Sequence, residues 1–207
     1  YVQPTTAKKT AEPDLRREVW RYIRAAPTLP QGGDQVGEAT CNVEPWPHQT
    51  RVFERLYAQA APRLLLADEV GLGKTIEAGL LLRQVWLAGR AKRILILTPA
   101  AVMRQWQIEL REKFNLNWPV YDDGRLRWYP SPALRGCSER PVSRSEWHKE
   151  GAVISSSHLM RRRDREREVC EDAEPWDLIV LDEAHHARRK GAGSVAEEGP
   201  NALLRLM

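Results

Sequence analysis

The segment that most constrains the fold is Asp68-Glu69-Val70-Gly71-Leu72-Gly73-Lys74-Thr75, set between the aliphatic run Leu64-Leu65-Leu66-Ala67 and a helix predicted over 75–87. A buried strand, a glycine-rich turn and a helix start form the context of a phosphate-binding loop. The glycines let the backbone curl so that successive N–H groups face one anion. Lys74 adds a point charge, and the Thr75 hydroxyl suits Mg²⁺. The helix behind the loop adds the positive end of its dipole. The strict pattern has glycine where Asp68 stands, so Gly73-Lys74-Thr75 by itself leaves open that the glycines only shape a helix start.

The surrounding pattern alternates strand and helix. A helix is predicted after His48-Gln49, ending near Pro62, and a strand at 64–67. Beyond the loop helix come a buried strand at Ile94-Leu95-Ile96-Leu97 and a helix over 102–114, with Trp106, Leu110 and Phe114 on one face. Val120-Tyr121, Val153-Ile154 and Leu178-Ile179-Val180-Leu181 complete the strands. This alternation implies an α/β fold, with a mainly parallel sheet and helices on both faces. Residues 1–44 read as an N-terminal extension: a polar tail, a short helix near 14–25 capped by Asp14, and a Pro/Gly loop over 27–37. The stretch 122–150 has no clear period and reads as an irregular insertion at the surface.

Composition narrows the classes further. With 42% hydrophobic and 29% charged residues, the chain has the balance of an ordinary globular domain. No apolar run approaches the roughly 20 residues of a membrane span, and there is no signal-peptide pattern. Cys41, Cys137 and Cys170 are too few and scattered for a disulfide framework, so a reducing, cytoplasmic setting is expected. A net charge of +4 permits an acidic partner without requiring one. Tyr1, in place of an initiator Met, reads as part of a longer chain.

A second box strengthens the first. Asp182-Glu183-Ala184-His185 follows the last aliphatic strand, at the sheet edge where a phosphate loop also opens. Asp182 is placed to hold Mg²⁺, and Glu183 to orient and deprotonate an attacking water. An isolated Asp-Glu is usually a helix cap; more than a hundred residues beyond a phosphate loop, in the expected order, the catalytic reading gains. His185 and His186 are adjacent, do not converge on one ion and have no third ligand at i+4, which argues against zinc.

Taken together, Pro47-His48-Gln49, Ala67 through Gly79, Leu97-Thr98-Pro99, Gln105-Trp106, Ile154-Ser155-Ser156 and Asp182-Glu183-Ala184-His185 resemble motifs Q, I, Ia, Ib and II of superfamily II helicases. The likeness is to SWI/SNF-type double-stranded-DNA translocases, in which Asp is the normal residue at position 68. The run Ala61-Pro62-Arg63-Leu64-Leu65-Leu66-Ala67 with Glu69-Val70-Gly71, and Phe114-Asn115-Leu116 before Tyr121-Asp122-Asp123, look most like the bacterial RNA-polymerase-associated branch. The resemblance covers about residues 45–190 and implies a single RecA-like P-loop lobe over 45–207 that binds ATP and Mg²⁺. It implies that Gln49 reads adenine and that Gly71, Leu72, Gly73, Lys74 and Thr75 hold the phosphates. Lys74, Asp182 and Glu183 are then the catalytic residues, with Thr75 and Asp182 at the metal, and Thr98, Pro99, Ser155 and Ser156 border the nucleic acid. The chain stops before the family's Ser/Thr-Ala-Thr motif. The implied partners are double-stranded DNA, a second RecA-like lobe carrying an arginine finger, and RNA polymerase or another protein complex.

Weaker signals stay open at this level. Arg161-Arg162-Arg163, Arg165 and Arg167 suit a phosphate track, but Asp164, Glu166 and Glu168 interleave them as on a solvated helix face. Arg188-Arg189-Lys190 is purer in sign and reads as a patch facing DNA or the second lobe. Trp106 reads as core, Trp46 as packing at a helix start, and His148 and His158 receive no role. An RNA-directed superfamily II ATPase and a non-hydrolysing nucleotide-binding module remain as alternatives.

Overall fold

The computed structural model describes residues 17, 20, 36–58, 65–67, 71–161 and 163–186. Its helices are α1 (Val36–Ala39), α2 (Pro47–Ala58), α3 (Lys74–Leu87), α4 (Met103–Phe114) and the short α5 (Arg163–Arg167). Its strands are β1 (Ile94–Thr98), β2 (Val120–Asp122), β3 (Arg125–Arg127), β4 (Glu139–Pro141), β5 (Ala152–Ser156) and β6 (Leu178–Leu181). They form one sheet in the order β4-β3-β2-β5-β1-β6. The central pairs β2–β5, β5–β1 and β1–β6 are parallel, whereas β2–β3 and β3–β4 are antiparallel.

Alternation along the parallel strands feeds two cores. Ile94 and Ile96 of β1 with Ile154 of β5 face α2, α3 and α4, where they meet Phe53, Leu80, Leu82, Trp106, Leu110 and Phe114. Leu95, Leu97 and Val153 face the other way, onto Tyr121, Leu126, Trp147 and Val169. The helical cover is uneven. Among the described residues, long helices lie on the first face, and the tight turn Trp147–Lys149 and the π-type turn Glu168–Asp172 lie on the second. On the first face α3 and α4 pack closely, because a Cβ on Gly79 would lie 2.2 Å from the Phe114 ring.

Several sequence expectations shift. Of the strand expected at 64–67, the described residues 65–67 have no regular structure and stand outside the sheet, with Leu65 70% exposed. Aliphatic composition suits a segment to a buried strand, but a strand also needs a ladder partner, and no described strand lies on the far side of β6. The stretch 122–150 is more ordered than its lack of period suggests. Asp123 and Gly124, both at positive φ, make the two-residue turn of the β2–β3 hairpin. Trp147 stacks on Tyr121 with ring centroids 4.6 Å apart and is fully buried. Residues 36–37, read as loop, lie in α1, which docks on α3 through a hydrogen bond from Gly37 N to Gln84 Oε1 at 2.6 Å. Of the helix expected near 14–25, only Arg17 and Trp20 are described, both helical and exposed.

Candidate nucleotide-binding site

The site is assembled from the N-terminal end of α3, the N-terminal end of α2, and the C-terminal ends of the parallel strands. Trp46 precedes α2, Pro47 is its first residue, and Gln49 Oε1 accepts from Trp46 N at 2.9 Å, one half of a capping box with proline at its usual place. The other end of the same carboxamide reaches the glycine loop: Gln49 Nε2 donates to Leu72 O at 2.9 Å. His48 Nε2 lies 3.2 Å from the same carbonyl. Gln49 is therefore buried and braces the loop, a task the sequence did not reveal, and it keeps one N–H and one lone pair for any further contact.

Gly71 and Gly73 take left-handed φ values of 92° and 83°, where glycine has no steric cost. Gly73 is also the residue on which α3 begins, and its carbonyl accepts from Ile76 N at 2.7 Å and Glu77 N at 3.3 Å. A Cβ at Gly73 would lie 2.4 Å from Gln49 Nε2, so a side chain at position 73 would displace the Gln49 carboxamide that braces the turn. With no capping side chain, the helix start is of the kind that receives an anion. Lys74 and Thr75 open the helix, both half-buried. Asp68, Glu69 and Val70 lie outside the described residues.

The acidic box stands at the end of β6. Asp182 N donates to Leu97 O at 2.8 Å, carrying the β1–β6 ladder one residue past the strand. Asp182 Oδ1 accepts from Glu183 N at 2.9 Å, and Oδ2 accepts from the Trp106 indole Nε1 at 2.8 Å. Glu183 sits at φ 54°, a left-handed conformation that costs a non-glycine residue on the order of 1–2 kcal/mol. Its half-exposed carboxylate lies 3.1 Å from His185 Nδ1. The Trp106 contact is the other feature missed in the sequence, where helical spacing explains this tryptophan fully as core.

The four residues expected at nucleic acid do converge. Leu97 pairs with Ser155 and Thr98 with Ser156 across β1 and β5, so all four lie at one end of two adjacent strands. Their exposure separates them. Thr98 and Ser155 are wholly buried, whereas Pro99 and Ser156 retain surface. In the arginine-rich cluster, Arg165 is held by Glu168 at 2.7 Å, Arg167 by Glu171 at 3.2 Å, and Asp164 by Arg144 at 3.1 Å, as on a charge-paired face. Residues 188–190 lie outside the described residues.

The donor set fits a nucleotide with Mg²⁺. Gly71 and Gly73 hold the turn at positive φ, with Gly73 closely apposed to Gln49, and Asp182 supplies a hard carboxylate of the kind that shares Mg²⁺ with phosphate oxygens. Such an ion, when bound, screens phosphate charge and orders its water shell. With such a group bound, the chain's own part would be to present backbone amides and Lys74 to phosphate and to orient the Asp182 and Glu183 carboxylates.

The fold and this site define an α/β nucleotide-binding lobe, and the chain belongs to the SNF2-related domain family, which matches residues 48–197. It is similar to the RNA polymerase-associated protein RapA of Yersinia pestis (strain Pestoides F) and of Yersinia pseudotuberculosis serotype O:1b (strain IP 31758). It is 44% identical to each over 140 residues, which are 68% of this chain and 13% of each relative. The chain thus spans a small part of the length of these relatives. Its fold is that of the Sulfolobus solfataricus SWI2/SNF2 ATPase core solved in complex with dsDNA, at a TM-score of 0.52 and 19% identity over 71% of this chain and 27% of that one. Among the described residues no helix is long and apolar enough to cross a membrane.

Proposed function

We propose that this chain is the ATP-binding lobe of a nucleic-acid-dependent ATPase, and that the nucleic acid is double-stranded DNA along which the whole protein translocates. The observation that carries the reading is that one hydrophobic cluster contains Ile76, in the first turn after the glycine loop, and Trp106, which bonds Asp182. Loop helix and acidic box are thereby held to one face of one sheet. In this reading Gly71, Leu72, Gly73, Lys74 and Thr75 take the phosphates, and Gln49 supports the loop and adenine recognition. Asp182 and Thr75 take Mg²⁺, and Glu183 prepares the water. Pro99 and Ser156 touch the DNA backbone, with Thr98 and Ser155 supporting them from inside. A contact with RNA polymerase or another protein complex belongs to the whole protein.

Phosphoryl transfer depends on positioned charge, and an arginine finger contributes about 10³–10⁵ in rate. The proposal assigns that group to a second lobe outside these 207 residues, so the chain alone turns over ATP slowly or not at all. ATPase assays of the chain and of its parent protein, each with duplex DNA and with RNA, test this. Stimulation of the parent by duplex DNA alone is expected. Stimulation by RNA alone favours the RNA-directed alternative, and turnover of about 1–100 s⁻¹ by the chain by itself contradicts the division of labour.

A further inference from the structure

Trp106 stands one turn into α4 and is 5% exposed. A buried indole needs a partner for its single N–H. Here the partner is a carboxylate 76 residues away: Asp182 Oδ2 at 2.8 Å. Hydrogen bonds to an ionised acceptor are shorter and stronger than neutral ones. Because Oδ1 is engaged by Glu183 N, the two contacts together fix the plane of the Asp182 carboxylate. Each oxygen still has a second lone pair to offer.

The position of the tryptophan adds a second consequence. α4 is joined to β1 by Pro99 and the single turn Ala100–Val102, whose Val102 N donates to Pro99 O at 3.0 Å. The helix that grips Asp182 therefore starts at the strand end where Pro99 and Ser156 retain surface. A shift of that turn acts on Trp106 and, through one hydrogen bond, on the acidic box.

We propose that Trp106 is a positioning residue for the acidic box: its indole N–H holds the Asp182 carboxylate in the orientation that accepts Mg²⁺ with bound nucleotide, and ties that orientation to the Pro99–Val102 turn. The inference rests on the nucleotide reading above. Trp106→Phe keeps the ring in the core and removes only the donor, so it separates positioning from packing. The Mg²⁺ enhancement of ADP affinity is measured by calorimetry, as Kd in EDTA divided by Kd in Mg²⁺. In Trp106→Phe this enhancement is expected to fall about tenfold, with Kd in EDTA unchanged. Trp118→Phe alters another indole of the same cluster and should leave the enhancement intact. An undiminished enhancement in Trp106→Phe, or an equal loss in both variants, overturns the proposal.

A second measurement does not depend on the folding of the tryptophan variant. In ¹⁵N-indole-labelled protein, Asp182→Asn should displace one indole N–H resonance far more than the other seven. Mg²⁺ with ADP should displace the same resonance in the unaltered chain. If no single resonance responds to Asp182→Asn, or Mg²⁺ with ADP moves a different one, the proposal fails. Absence of any Mg²⁺-dependent ADP binding by the unaltered chain removes the nucleotide reading and this inference together; its presence without a Trp106 effect removes the inference alone.

Discussion

β1 and β6 are built from nearly the same side chains and meet different fates. Ile94, Leu95, Ile96 and Leu97 are each at most 1% exposed, whereas Leu178, Ile179, Val180 and Leu181 are all only half-buried. Both strands face the same two cores, with Leu178 and Val180 against one and Ile179 and Leu181 against the other. What differs is the ladder. β1 has a parallel strand on each side, and β6 has β1 alone among the described residues. An aliphatic tetrad thus places a segment in a sheet without saying how deep. The contrast also bears on function, because the acidic box sits on the half-buried strand, and elements that must adjust to ligands are drawn from the less stable parts of a fold.

The largest effect is expected at the centre of β1. Ile96→Ala should cost about 2–5 kcal/mol, the range for truncating a fully buried aliphatic side chain, measured by urea unfolding. Next comes the seam that backs β1: Gly79→Ala drives a methyl into the Phe114 ring and should cost about 1–3 kcal/mol, the usual range for overpacking. If it is neutral, α3 and α4 are less tightly apposed than the Gly79–Phe114 contact requires. Val180→Ala on β6 should cost about 1 kcal/mol, since full burial of such a side chain is worth only about 1.5–3 kcal/mol. A loss matching that of Ile96→Ala would erase the difference between the strands.

The smallest effect is a pH dependence. His148 is buried beside Trp147, with ring centroids 5.8 Å apart, and burial pushes its pKa below the ordinary 6.5. Glu168 and Asp172 oppose that shift, while Arg93 and Lys149 reinforce it. The unfolded chain takes up this proton first, so the stabilisation is complete above pH 6.5 and is lost as pH falls through the depressed folded value. The difference in Tm between the unaltered chain and His148→Gln should therefore shrink on going from about pH 7.5 to about pH 5.5. A difference that grows on acidification would contradict the assigned direction.

The legibility of the sequence follows the same contrast. The helical face of Trp106, Leu110 and Phe114 could be read because its period is local, and α4 buries all three. The strands could be read as aliphatic runs, but 64–67 could not be separated from β1 by composition, since ladder partners are non-local. The β2–β3 hairpin had a local signal, Asp123-Gly124, which the proline- and arginine-rich surroundings obscured. The stack of Trp147 on Tyr121 has no sequence period at all, because it joins residues far apart in the chain. In the site, the glycine loop and acidic box were legible as motifs. The bonds from Gln49 to Leu72 and from Trp106 to Asp182 were not, because each side chain already had an adequate explanation in its own helix.

The central claim is that the turn from Gly71 to Thr75 binds the phosphates of a nucleotide, and calorimetry of Mg²⁺·ATP with two lysine variants tests it most directly. Lys74 opens α3 beside the glycine turn, and Lys149 is exposed in the turn after Trp147. A hydrogen bond to a charged group is worth about 1.5–3 kcal/mol, so Lys74→Ala should weaken binding about tenfold or more, and Lys149→Ala should leave it unchanged. An equal loss in both variants would show that the chain attracts nucleotide only through its net positive charge, and would contradict phosphate recognition by the glycine turn.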